Sequence, residues 1–325
     1  MSYSFTKTEW FPYVKTEYLY PKYRSPRIIN EIETINADIL CLQECDSDLF
    51  NDYYKKILEH ELHYTCIMHP STYVYRNRKA VVNTVCYKKH LFTELNSTLL
   101  DLNDELCKID ESFTKHKEAL IVQLEHKANK EKFIVISTHL YWNPEYEYVR
   151  YGEIARIVSY VYKKYKECAV FICGDLNASP YSNVLRYIYG EEPDVNETSN
   201  KTIKGDFAKN KKYIELIYNN EQYKNHYLLR SAYDVYKAVL DGGNSDTTIC
   251  KRDNYNINHP DFTCYTNEVM ANYDYIIYSP KHYELIELLK VPVDDGLIRK
   301  DRLPNKNYAS DHLKVYAKFG SKLYN

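Results

Sequence analysis

Apolar residues along this chain follow two rhythms. Runs of strand length occupy residues 38–43, 64–68, 81–87, 118–125, 133–137 and 169–173, with 273–278 and the alternating Leu-Lys-Val-Tyr-Ala of 313–317 nearer the end. Other stretches repeat apolar residues at helical spacing, as Ile28, Ile32 and Ile35 do in 27–35, where Ser25-Pro26 gives a start signal. The same rhythm predicts helices over 48–59, 148–165, 181–189, 209–218 and 233–239. Residues 118–125 and 133–137 read as a hairpin through 127–132, and 99–110 as an acidic, peripheral stretch. Loops are expected at 73–79, 191–205 and 241–258, which are respectively basic, polar, and rich in Gly, Asn and Asp.

Several of these strands carry polar chemistry at an end. Glu44 follows 38–43, His139 follows 133–137, Asp175 and Asn177 follow 169–173, and Ser310-Asp311-His312 precedes 313–317. Asp175 and Asn177 lie either side of Leu176, so in extended chain they project from one face, an acceptor beside a donor. Strand ends are where α/β folds build their sites. Each feature also has a bland reading. Gly-Asp-X-Asn is a common turn, because Asp and Asn bond their own backbone; a strand-end His is usually a hydrogen-bonded core residue; Glu44 also fits the start of a helix. Four such ends in one chain make a shared site the stronger interpretation.

Composition narrows this further. With 325 residues the chain can bury a large core, and motifs spread from Glu44 to His312 imply one domain over 1–325 rather than two. Lys plus Arg number 43 against 45 for Asp plus Glu, a net charge of −2, which speaks against a tight duplex binder with a basic field throughout. A local basic cleft stays open, since Arg76, Arg78 and Lys79 share one loop that can meet a phosphodiester backbone or only solvent. The nine cysteines lack C-x-x-C spacing, and Cys41, Cys86 and Cys173 sit inside apolar runs; this fits a reduced intracellular compartment, the cytoplasm first. The start reads as neither a signal nor a transit peptide, and no apolar run has membrane-spanning length. The 36 tyrosines read as amphipathic filling between core and water.

The motifs Leu42-Gln43-Glu44, Ser137-Thr138-His139-Leu140, Gly174-Asp175-Leu176-Asn177, Tyr273-Asp274-Tyr275-Ile276 and Ser310-Asp311-His312 occur in the order found in the endonuclease/exonuclease/phosphatase superfamily. The chain resembles that superfamily from about Tyr13 onward. Three further stretches, His-Leu-Tyr-Trp-Asn-Pro-Glu at 139–145, Leu-Arg-Ser-Ala-Tyr at 229–233 and Pro-Asp-Phe-Thr at 260–263, resemble the branch of Ccr4-type deadenylases, nocturnin, the Angel proteins and the 2′,5′-phosphodiesterase. The resemblance implies a DNase I-like α/β four-layer sandwich: two mixed β-sheets packed face to face, helices outside, and the site at one end of the sheets. It implies Mg²⁺ as cofactor, with Mn²⁺ able to substitute, held by Glu44 with Asp311 as a second candidate ligand. Asp175 then orients or deprotonates the attacking water, and Asn177 donates to the phosphate oxygen that gains charge. Asp274 holds His312 beside that phosphate, and His139 contacts it as well. Pro144, Asn143 and Phe262 fall on the substrate side.

The implied activity is a 3′ exoribonuclease on single-stranded RNA, deadenylase-like on poly(A). The alternatives are a 2′,5′-oligoadenylate phosphodiesterase, a nocturnin-like nucleotide phosphatase, and a catalytically idle binding subunit. Two departures weaken adenine preference: Val269 stands where the deadenylases carry an aromatic that stacks on adenine, and Cys264 replaces the Asn of Phe-Thr-Asn. The family's first strand, which ends in an Asn beside the metal, finds no counterpart ahead of Phe5, so a shortened chain is expected. No leucine-rich repeat period is visible, so the docking module of Ccr4-type enzymes is not expected either.

Overall fold

In the computed structural model, which describes residues 6–73, 81–166, 168–196, 203–237 and 259–322, alternation along the strands assigns each side chain to one of two cores. The described strands are β1 (Ile39–Asp46), β2 (Tyr64–Ile67), β3 (Val81–Lys88), β4 (Phe92–Asp101), β5 (Glu118–His126), β6 (Lys132–His139), β7 (Ala169–Asp175), β8 (Arg230–Ser231), β9 (Cys264–Tyr265), β10 (Met270–Ala271), β11 (Asp274–Tyr278), β12 (Tyr283–Leu288) and β13 (Ala317–Ser321). The helices are α1 (Pro21–Ile35), α2 (Ser47–Leu49), α3 (Lys55–His60), α4 (Glu147–Tyr165), α5 (Asn183–Ile188), α6 (Phe207–Tyr218) and α7 (Gly296–Asp301).

Six strands form one sheet in the order β4-β5-β6-β7-β11-β8, and three form another in the order β1-β3-β2. β6 and β7 are parallel, and the remaining pairings of the larger sheet are antiparallel. A parallel pair needs a crossover, which α4 supplies. Because side chains alternate across a sheet, Ala119, Ile121, Ile134, Ile136, Val170 and Ile172 all point to one face. There they pack with Val149, Ile154, Ile157 and Val158 of α4 and with Leu185 and Ile214 of α5 and α6. The intervening Leu120, Val122, Leu124, Phe133 and Val135 point the other way and meet Val85 and Tyr87 of the smaller sheet. That sheet's outer face, through Leu40, Val82 and Cys86, is covered by Ile28 and Ile32 of α1 and by Leu58 of α3. Helices, sheet, sheet and helices therefore stack as four layers, as expected for a mixed α/β sandwich.

Several boundaries differ from the sequence reading. The first helix begins at Pro21 rather than beside Ser25-Pro26, and Pro26 lies inside it. The stretch 99–110 is not peripheral: Leu99–Asp101 complete β4, and Leu100, Leu102 and Leu106 are buried in the helix-side core. The acidic side chains alternate with these leucines, so a charge-rich segment still buries one face. Of the helix expected over 233–239, the described residues show a 3-10 turn, Ala232–Val235, running on into helical backbone at 236–237, and 238–239 lie outside the described residues. The alternating run 313–317 does not form the expected strand. Its backbone over 313–316 instead bonds Thr263, Leu289 and the Tyr233 hydroxyl, and regular pairing, with β12, starts only at its last residue, Ala317, where β13 begins. A groove of about 610 Å³ runs beside it, lined by Ile39–Glu44 of β1 and by residues 309–319. The basic residues Arg76, Arg78 and Lys79 and the loop 241–258 lie outside the described residues.

Candidate active site

Strand parity decides which side chains face the space between the sheets. His139 shares its face with Phe133 and Val135, Asp175 with Ala169 and Phe171, and Asp274 with Ile276 and Tyr278. The ladder then aligns them: His139 is the register partner of Asp175 across the parallel pair, and Asp274 is its partner on the antiparallel side. Three adjacent strand ends thus bring a histidine and two carboxylates side by side.

Gly174 makes this alignment possible. Its φ is +148°, and a Cβ built there would lie 1.9 Å from the Thr138 carbonyl oxygen, so the two strands approach more closely than any larger residue permits. Two non-glycine residues adopt left-handed backbone at the same end, Glu44 with φ 55° and Asn177 with φ 47°. Such conformations cost of order 1 kcal/mol or more and cluster at functional sites. Glu44 sits in a bulge, since the register with β3 breaks between Leu42 and Cys45, and a bulge re-aims side chains. Next to it Gln43 reaches across to donate from Nε2 to the Ser137 hydroxyl at 2.9 Å, tying the two sheets together.

His312 arrives from outside the ladder. It pairs through an isolated bridge with Cys264, Leu313 N–H donates to the Thr263 carbonyl, and the Thr263 hydroxyl in turn accepts from the N–H groups of Tyr273 and Asp274. The outcome is a linked row. His312 Nδ1 lies 2.8 Å from Asp274 Oδ2, and its Nε2 lies 3.8 Å from Asp175 Oδ2. The same Asp175 oxygen is 3.5 Å from His139 Nε2, and His139 Nδ1 is 3.9 Å from Glu44 Oε1. Asp175 Oδ1 accepts the Asn177 N–H at 2.7 Å, while the Asn177 carboxamide donates to the Leu140 carbonyl at 3.1 Å.

Charge differs sharply along the row. Burial opposes ionisation of Glu44, but surrounding positive charge, that of His312 and Lys117 included, overrides it and brings its pKa down to about 2. Burial, reinforced by Asp274 and Glu44, pushes Asp175 up to about 7, although His312 pulls it down. For His312, burial disfavours the cation, yet Asp274, Cys264 and Asp175 outweigh it and raise its pKa well above the usual imidazole value. His139 goes the other way, to about 3, through burial and the nearby Lys117.

The other expected residues are placed less centrally. Asp311 acts on the charge of Arg24, a buried side chain whose Nε donates to the Ala309 carbonyl at 2.5 Å. Asn143 uses its carboxamide oxygen to accept the Glu145 N–H, and Pro144 is exposed on the same turn. Phe262 has no exposed surface and packs within the inter-sheet core beside Tyr265, a supporting position rather than a contact one. Lys117, which influences Glu44, Asp175 and His139, escaped the sequence reading because it stands in a polar run just ahead of β5 and belongs to no periodic pattern.

Among the described residues no group of three or more His, Cys, Asp and Glu is arranged to hold a metal ion. A Mg²⁺ site does not demand one, since that ion keeps several waters and takes one or two carboxylates. Glu44, ionised and offering hard oxygen beside further carboxylates, fits such an ion.

Residues 20–312 match the model of the endonuclease/exonuclease/phosphatase family. The chain belongs to that family. Among curated relatives of the family member, it is 26% identical over 326 residues to the probable CCR4-Not complex 3′-5′-exoribonuclease subunit Ccr4 of Vairimorpha ceranae, covering 95% of this chain and 60% of that protein. The corresponding protein of Enterocytozoon bieneusi is 28% identical over 305 residues, with 88% and 56% covered. The chain thus spans little more than half the length of these relatives. In structure it resembles ANGEL2, a 2′,3′-cyclic phosphatase, with TM-score 0.76, 23% identity, and 98% and 92% of the two chains covered. The human Nocturnin catalytic domain superposes with TM-score 0.62 at 20% identity over 95% and 88%. These likenesses agree on the DNase I-like fold. No helix among the described residues is long and apolar enough to cross a membrane.

Proposed function

We propose that this site hydrolyses phosphodiester bonds at the 3′ end of single-stranded RNA, deadenylase-like in its preference, with Mg²⁺ bound at Glu44. The observation that carries the reading is the single row Asp274, His312, Asp175, His139 and Glu44, whose successive side chains approach to between 2.8 and 3.9 Å. Bound at Glu44, the ion supplies charge neutralisation at a phosphate oxygen.

The chain's own residues supply the rest. Asp274, 2.8 Å from His312 Nδ1, fixes the imidazole and keeps it protonated, so Nε2–H is available to a nonbridging oxygen that gains charge. Asp175, held near neutrality by burial, orients the attacking water and takes its proton. Asn177, held to Asp175 by its N–H and to Leu140 by its carboxamide, donates to the same phosphate. Neutral His139 donates without adding repulsion against the cation at Glu44. Val269, intermediate in exposure, offers no ring to stack on adenine, so the tail preference rests on the Ccr4 relatives.

The test is digestion of 5′-labelled RNA ending in an adenosine tail with Mg²⁺, run beside 2′,5′-linked oligoadenylate and an Asp175→Ala control. A ladder shortening from the 3′ end, absent in the control, is expected. Preference for the 2′,5′ linkage moves the assignment to an oligoadenylate phosphodiesterase, and phosphate release from a nucleotide without a ladder to a nucleotide phosphatase. Binding without any cleavage leaves an idle subunit.

A further inference from the structure

The turn that follows His139 is held by more buried charge than a surface turn requires. Glu153 and Arg150 stand one helical turn apart on α4, and both are buried, at 1% and 4% exposure. Glu153 Oε2 accepts the Tyr141 N–H at 2.8 Å, and Arg150 donates to three carbonyls, those of Tyr141 at 3.3 Å, Asn143 at 2.5 Å and Pro144 at 3.3 Å. The Leu140 N–H and carbonyl are fixed on either side by Asp175 and Asn177. Lys115 lies over the rings of Tyr141 and Tyr146 at 5.0 and 4.7 Å. Desolvating two ionisable side chains is unfavourable, and here the expense fixes main chain rather than a core ion pair.

What the fixed turn displays is Trp142. Its indole is 64% exposed, three residues from His139. Tyr141 and Tyr146 on either side are partly buried, while this large apolar ring, like the adjoining Pro144, faces water at a set position. A rigid, solvent-facing aromatic beside a phosphate-handling site suits one ligand chemistry well, the face of a nucleobase.

We propose that Trp142 stacks on a base of the polynucleotide whose phosphodiester occupies the site, and that Arg150 and Glu153 are the positioning residues that hold it there. The subsite rests on the phosphodiesterase assignment for its substrate but is tested separately from it. In a Trp10→Phe background Trp142 is the only tryptophan, so its fluorescence reports the turn directly.

Without divalent metal, an eight-nucleotide oligoadenylate quenches Trp142, and an abasic strand of the same length does not. Stacking one base is worth about 1–3 kcal/mol, so Trp142→Ala, followed by anisotropy of a labelled oligoadenylate, binds roughly 5- to 150-fold more weakly, and Trp142→Phe recovers most of that. In Arg150→Gln, with circular dichroism unchanged, Trp142 reorients faster and the oligoadenylate binds more weakly. Glu153→Leu, which leaves the Tyr141 N–H without its acceptor, loosens Trp142 in the same way where circular dichroism shows it folded.

Equal quenching by abasic and adenylate strands, or undiminished binding by Trp142→Ala, overturns the stacking role. Unchanged Trp142 mobility in folded Arg150→Gln overturns the positioning role. Failure of the phosphodiesterase assignment appears elsewhere, as an absence of Mg²⁺-dependent cleavage of both RNA and methyl p-nitrophenyl phosphate with the quench intact.

Discussion

His139 and His312 face one oxygen of Asp175 from 3.5 and 3.8 Å, and both are partly buried, yet their surroundings drive them to opposite charge states. Burial acts on both in the same direction, toward the neutral ring. The difference lies in the second neighbour. His312 has Asp274 at 2.8 Å, so its cation is held; His139 has the field of Lys117, and Glu44 at 3.9 Å is too distant to compensate. The backbone repeats the contrast. His139 sits in a regular parallel ladder, whereas His312 hangs on an irregular segment stapled to Thr263 and Cys264. A site built from one ordered and one irregular region can thus offer a charged and an uncharged donor to the same substrate.

The largest effect is expected from Asp274→Asn, which erases the asymmetry. The carboxamide no longer stabilises the imidazolium or fixes its tautomer, so the rate falls by about 10²- to 10⁴-fold while the melting temperature moves little. Single-turnover cleavage with thermal melts in parallel checks this; a loss under tenfold contradicts it.

Gly174→Ala attacks the ordered side instead. An added Cβ 1.9 Å from the Thr138 oxygen, on backbone with φ +148°, forces β6 and β7 apart and costs about 3 kcal/mol. Urea titration reads that cost, and a normal midpoint refutes the close approach.

Glu153, behind His139, gives a comparable but pH-dependent effect. Burial raises its pKa to about 7, against the pull of the Tyr141 N–H, Lys117, Arg150 and Lys115. Between the ordinary carboxylate value and about 7 the folded protein keeps a proton that the unfolded chain has released, so stability declines as pH rises through that window. Glu153→Gln removes the decline, gaining roughly 3 kcal/mol on the unsubstituted chain between about pH 5 and pH 8 at about 1.4 kcal/mol per unit. Parallel denaturant titrations at the two pH values measure it, and identical pH profiles contradict it. Smallest is Gln43→Ala, which severs the 2.9 Å bond to Ser137 between the sheets and costs about 1 kcal/mol.

The ordered side was the legible one. The continuous apolar runs ahead of His139 and Asp175 have the length and composition of buried strands, and the structure aligns them in one ladder because buried strands leave register little freedom. Glu44 and Asn177 were legible as residue types, but their left-handed backbone was not, since nothing local forces a glutamate to φ 55°. The strand expected over 313–317 is missing because alternation specifies a face to bury and not a pairing partner, and Tyr233 and Leu289 engage that backbone instead. Lys117, Arg150 and Glu153 act through charge delivered from flanking segments, which no spacing rule records. The motif resemblance identified the family and singled out carboxylates and histidines that the structure brings into one row, while the inward packing of Phe262 emerged only from the fold.

The most direct measurement is an ¹⁵N titration of the histidine rings in metal-free protein. His312 is expected to remain protonated well above neutral pH while His139 stays neutral far into acid, with Asp274→Asn bringing down the His312 value alone. Two rings titrating together near pH ~6.5, the unperturbed imidazole value, would contradict the opposed charge states and the division of labour built on them.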